Sequence, residues 1–184
     1  MKIKSAALTP LITIPAIAFT ASAMAGHHGN KFQEISQLPS PSVMEIVKKV
    51  ETEYKTTAVI TEFEFEMERG AATYEVTLYN KDENRFLELD LDAKGNIVEQ
   101  EYDDVDHDDN DTLAAVAAFN KQNMALSELL AKTATKNPSY IVEFELESDA
   151  GINYIQLKQI SETGKKRLAI DLNNGQVLPI LKWD

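Results

Sequence analysis

Carboxylates are the chemically capable side chains that this sequence arranges with a regular period. Glu62, Glu64, Glu66 and Glu68 stand at alternate positions, and Glu143, Glu145 and Glu147 repeat the spacing later in the chain. Successive side chains of a strand point to opposite faces, so alternation puts each set on one face. Glu75, Glu88 and Asp90, on neighbouring segments, extend the first set. Two readings of that face stand. It is a solvated surface whose charge keeps strand edges from pairing with other chains, or it is a landing surface for a basic protein or peptide. The second set would have Lys158 and Arg167 beside it, so the first is the stronger candidate for partner binding.

Two further groupings suit metal ions. Asp104, Asp106 and Asp108 offer oxygen ligands at alternate positions, which suits Ca²⁺, but an EF-hand loop begun at Asp104 needs Gly at position 109 and Glu at position 115. The chain has Asp109 and Ala115 there. The alternative is an exposed acidic linker that ends in Asp111 as a helix N-cap. The other grouping, Gly26-His27-His28, becomes a ligand set only if the chain is cut after Ala25. A free amine, two amide nitrogens and the His28 imidazole then make a square-planar nitrogen set for Cu(II) or Ni(II).

Catalytic patterns are not found. There is no cysteine, hence no disulfide framework, zinc ribbon or thiol nucleophile. The sequence has neither a G-x-S-x-G elbow nor a glycine-rich phosphate loop. Paired carboxylates abound, but no apolar pocket is evident to separate their pKa values. A non-enzymatic protein without an obligatory cofactor is expected. Net charge of −12, from 18 Lys+Arg against 30 Asp+Glu, argues against nucleic acid, which needs a clustered basic face.

The start of the chain reads as an address. Lys2 and Lys4 precede an uncharged, largely apolar run to Thr20, and Ala23-Met24-Ala25 makes an A-x-A cleavage site. Pro10 and Pro15 interrupt the run, which disfavours a retained membrane helix. Residues 1–25 are therefore read as a signal peptide and 26–30 as a flexible mature terminus. The expected product is periplasmic, with secretion as second choice, and has no stable membrane insertion after cleavage.

The elements that position the carboxylates are written twice. Glu62-Phe63-Glu64-Phe65-Glu66 returns eighty-one positions later as Glu143-Phe144-Glu145-Leu146-Glu147. Gly70 and Gly151, Leu87 and Leu168, and Asp90 and Asp171 keep the same offset. Residues 31–104 and 111–184 are read as two units joined by an acidic linker, 105–110. Each unit predicts a helix, or helix pair, followed by a four-stranded antiparallel meander packed on it: an α+β tandem duplication.

In the first unit Val43, Ile46, Val47, Val50 and Tyr54 recur at helical spacing, and Ser42 with Glu45 spells a capping box. Leu126, Leu129 and Leu130 play the same part in the second. A helix near Asp111–Asn120 precedes them, with Lys31–Leu38 as its shorter counterpart. Strand alternation puts Val59, Phe63, Phe65 and Met67 on the apolar face, and Trp183 near the end reads as core on a last strand with Leu181.

These residues resemble the PepSY domain: a helix, an acidic-apolar strand, a Tyr-containing hairpin strand, then Asp-x-x-x-Gly-x-Val. The closest stretch is Leu168-Ala-Ile-Asp171-Leu-Asn-Asn-Gly175-Gln-Val177, while Asp92 to Gly95 in the first copy is one residue shorter. In outline the duplication is also similar to β-lactamase-inhibitor-like proteins, which grip a partner on an open sheet face. The resemblance implies an exported protein that binds or restrains a peptidase, and it supplies no catalytic residues.

Overall fold

The computed structural model describes residues 28–38, 42–68 and 70–178. In chain order these form α1 (His28–Ser36), α2 (Val43–Tyr54), β1 (Ala58–Glu68), β2 (Ala71–Asn80), β3 (Arg85–Leu91), β4 (Ile97–Asp104), α3 (Asn110–Phe119), α4 (Leu126–Ala131), β5 (Ser139–Asp149), β6 (Ile152–Ser161), β7 (Gly164–Asp171) and β8 (Val177–Leu178). The signal segment, Gly26, His27, Leu181 and Trp183 lie outside the described residues.

Local chemistry starts the helices where the sequence says. The Ser42 N–H donates to Glu45 Oε2 at 2.7 Å, and the Glu45 N–H donates to Ser42 Oγ at 3.4 Å, closing the capping box of α2. Val43, Ile46, Val47 and Val50 form its buried stripe, matched by Leu126, Leu129 and Leu130 of α4. The N-cap of α3 is Asp109, not Asp111. Its carboxylate turns back to accept the Asp106 N–H at 2.8 Å and so does not cap its own helix.

All eight strands lie in one antiparallel sheet, in the order β4-β3-β2-β1-β5-β6-β7-β8. The sequence predicts a four-stranded sheet in each unit; the structure joins the two meanders by pairing β1 with β5. The pairs are Glu62↔Glu145, Phe63↔Phe144 and Glu64↔Glu143. Joining removes two exposed strand edges and stacks the Phe63 and Phe144 rings, 5.5 Å apart and 11° from parallel. Both rings are fully buried, in one core with the apolar stripes of α2 and α4.

Each central strand carries a bulge at the corresponding place, between Ile60 and Glu62 in β1 and between Ile141 and Glu143 in β5. An extra residue reverses the phase of the strand before it. Val59, expected on the core face, is therefore only half-buried, and Ile60 takes the core position at 3% exposure. After the bulge the expected phase holds for Phe63.

The two Asp-to-Gly segments are turns that tie the sheet to its helices. Asp92 Oδ1 accepts the N–H groups of Lys94 and Asn96 at 2.8 and 2.9 Å, and Asp171 Oδ1 accepts that of Asn173 at 2.7 Å. Lys49 of α2 donates to the Gly95 carbonyl, and Lys132 after α4 donates to the Gly175 carbonyl. Gly175 has φ +65°, and a Cβ there would lie 2.6 Å from Lys132 Nζ. One bond also crosses between the halves: Glu51 of α2 accepts the Leu126 N–H at 2.5 Å, satisfying an orphan donor at the N-terminus of α4.

The first helix departs from the expected symmetry. It begins at His28, within the segment expected to be loose, and lies against β5, β6 and β7, with Phe32 5.4 Å from Tyr140. The third helix instead packs on β5, β6 and β1 with Ala115 and Val116 in the core, so α1 is not its counterpart. In urea denaturation, Phe144→Ala is expected to cost about 3–5 kcal/mol and Glu51→Ala about 1 kcal/mol. A Phe144→Ala loss under about 1 kcal/mol would show that the stack does not hold the halves together.

Candidate functional site

Because α2, α3 and α4 share the core of one sheet face, the opposite face keeps its polar residues. Two cross-strand rows run along it. The first reads Glu101, Glu88, Thr77, Glu62, Glu145, Gln156 and Ala169 from β4 to β7. The second reads Glu99, Asp90, Glu75, Glu64, Glu143, Lys158 and Arg167. Directly opposed residues have Cβ atoms roughly 4.5–5.5 Å apart, so the second row is an unbroken line of carboxylates that ends in two cations. Lys158 bonds the Glu143 carboxylate, which joins the two signs.

Of the residues the sequence singles out, Glu62, Glu64, Glu75, Glu88 and Asp90 come together in these rows. Glu66 continues β1 opposite Thr73, and Glu68 stands at the strand end opposite Ala71. The carboxylate oxygens of Glu75, Glu88 and Asp90 approach within 4.8 Å of one another. Sequence reasoning left Glu99 and Glu101 out of the face, and it set Glu143 and Glu145 apart in the second unit. Alternation in β4 contained a signal for the first two. For the other two the deciding fact is the β1–β5 pairing, a contact between distant parts of the chain.

Desolvation, with like-charge crowding second, raises several carboxyl pKa values at the centre of the face. Partial burial, followed by a hydrogen bond and charge repulsion from Glu147 and by the charges of Glu62 and Glu143, pushes Glu145 up to about 7. Glu62 is raised by desolvation and then by Glu64, Glu143 and Glu88. Glu75 is raised by desolvation, Glu88 and Asp90, and Glu88 by desolvation, Asp90 and Glu101. Tyr154, whose hydroxyl donates to Glu147 at 2.6 Å, is raised by desolvation and by that carboxylate.

The proposed Ca²⁺ set does not assemble. Asp106 Oδ1 accepts the Asp108 N–H at 2.7 Å, and Asp104 ends β4. Among the described residues the one converging group of metal-capable side chains is Glu75, Glu88 and Asp90. Short-range turn bonds use the Asp106 and Asp109 oxygens. Of the terminal Gly26-His27-His28 set, only His28 falls within the described residues, at the start of α1.

No family model matches the chain, and no curated protein matches it. Among solved structures, a putative lipoprotein of Clostridium difficile 630 is similar at 16% identity and a TM-score of 0.43, over 76% of this chain and 91% of that one. Among the described residues no helix is long and apolar enough to cross a membrane.

The raised carboxyls set the sign of the pH dependence. A folded-state pKa above the ordinary value means that the native chain binds the extra proton more tightly. Stability is therefore greatest near the ordinary carboxylate pKa and falls as pH rises through about 7 for Glu145. Glu45 and Asp92, held low by hydrogen bonds, act in the opposite direction at lower pH. The melting temperature is expected to rise as pH falls from about 8 to about 5, by roughly 2–4 °C for each kcal/mol in a chain of this size. Glu145→Gln should raise the melting temperature at the alkaline end and flatten that slope, as read by calorimetry.

Proposed function

We propose that this chain is an exported, non-enzymatic binding protein whose polar sheet face engages a basic protein or peptide, with a peptidase as the leading class of partner. The supporting observation is the second cross-strand row, in which five carboxylates from five adjacent strands stand side by side. Like charges directly opposed on a sheet are unfavourable, and in this row Glu75 is raised by desolvation first and then by the charges of Glu88 and Asp90. A cationic partner relieves the repulsion on binding. Export, with the periplasm as destination, is supported by the Lys2 and Lys4 start and the Ala23-Met24-Ala25 site.

Descent from a duplicated PepSY-like unit is supported by the repeated element order, the matching bulges and the two lysine-to-glycine-carbonyl ties. A second reading, binding of a divalent cation, is favoured by the approach of Glu75, Glu88 and Asp90. The two readings separate by experiment. Crosslinked capture from a periplasmic extract with residues 26–184 should recover a basic partner that a charge-matched acidic control does not. A Glu62→Lys/Glu64→Lys/Glu66→Lys variant should lose that partner while its circular dichroism is unchanged. Equal capture by the variant would sink the partner reading. Saturable calorimetric uptake of Ca²⁺ that is removed by Glu88→Gln would carry the cation reading in its place.

A further inference from the structure

The two halves of the sheet are joined over a short seam. The first strand runs on beyond Glu64 through Phe65, Glu66 and Met67, bonded on its outer side to β2. The fifth strand arrives at Glu143 from Ser139, bonded on its outer side to β6. Between them the cross-strand register stops at Glu64↔Glu143. Among the described residues no strand pairs with the inner edge of either stretch, so both present main-chain donors and acceptors to a gap in the sheet.

A cavity lies on each side of that gap, and α1 runs beside both, with Lys31, Glu34 and Ile35 lining one and Ile35, Ser36 and Leu38 the other. On the polar face the gap forms a cavity of about 1130 Å³, with Glu64 and Glu66 on one wall and Lys158, Lys165 and Arg167 on the other. On the helix face it forms a cavity of about 560 Å³ among Val43, Leu130 and Ile141. Ile35 of α1, Phe65 and Gln159 line both, so the two spaces adjoin at the gap. A ligand that fills both spaces at once must place polar groups on one side and apolar groups on the other.

An extended polypeptide has that form. Its backbone pairs with strand edges, and its side chains alternate between the two faces of the sheet. The geometry points to strand addition: the gap between Phe65–Glu68 and Ser139–Val142 takes an extended segment of a partner protein. The segment is about four or five residues long, the length of the unpaired strand ends. It alternates apolar residues, facing Leu130 and Ile141, with charged residues of both signs, facing the glutamate and lysine walls. This inference rests on the reading that the polar face takes a polypeptide partner, and it names how that partner is gripped.

The probe is the fluorescein-labelled heptapeptide KVEVKVE, titrated by fluorescence anisotropy into residues 26–184. Saturable binding is expected, with slowed hydrogen exchange at the amides of Phe65–Met67 and Tyr140–Val142. The same peptide methylated on its valine amides keeps every charge but loses main-chain donors, and it should bind at least about tenfold more weakly. Lys165→Glu/Arg167→Glu should weaken the parent peptide, and Lys81→Glu/Lys121→Glu, the same charge change at exposed positions that line neither cavity, should leave it unchanged. Absence of saturable binding, equal binding of the methylated peptide, or unchanged exchange at those amides would each overturn strand addition. Capture of a basic partner without peptide binding would remove this inference alone. Peptide binding with capture unaffected by Glu62→Lys/Glu64→Lys/Glu66→Lys would remove the broader reading alone.

Discussion

The stack of Phe63 on Phe144 is the contact on which the rest of the molecule depends. It sits at the centre of a seam of three residue pairs and joins two antiparallel meanders into one sheet. On the opposite face of the same seam, Glu62 faces Glu145 and Glu64 faces Glu143. Full burial of an aromatic side chain contributes about 1.5–3 kcal/mol, whereas two charges 4 Å apart in water repel by about 1 kcal/mol. The apolar side of the seam therefore decides the pairing. On the polar side Glu145 and Glu62 hold a proton more tightly, raised by desolvation first and by neighbouring carboxylates second.

Several features follow from this arrangement. One core serves both halves, so α2 and α4 cover the same face, and Glu51 of one supports the start of the other. Opposite the core, carboxylates from both halves merge into continuous rows that neither half has alone. The seam is short because the strands diverge on either side of it, past the bulges at Ile60 and Ile141. Strand ends that would otherwise pair are left facing a gap. The second half also differs in charge: Lys158 and Arg167, paired with each other, occupy positions where the first half has Thr77 paired with Glu88, so the face runs from acidic to basic.

Much of this was legible in the sequence, and the legible parts share a cause. The capping box at Ser42 and Glu45, the stripes of α2 and α4 and the Asp-to-Gly turns depend on residues within a few positions of one another. Local bonds and local periodicity decide them. The errors also have local causes that pattern alone does not reveal. A single extra residue at the β1 bulge gave Ile60 the core position expected for Val59. A competing bond from the Asp106 N–H occupied the Asp109 carboxylate and kept it from capping its own helix.

By itself the sequence determined the α+β class, the order of helices and strands and the acidic alternation, because each is carried by composition and short-range spacing. Only the tertiary structure decided that the two meanders share one sheet, that Glu143 and Glu145 stand beside Glu62 and Glu64, and that a gap opens beyond them. The physical reason is the pairing of β1 with β5. It brings together residues about eighty positions apart, and its register is chosen by the burial of two phenylalanines against helices from both halves, a choice that no local pattern encodes.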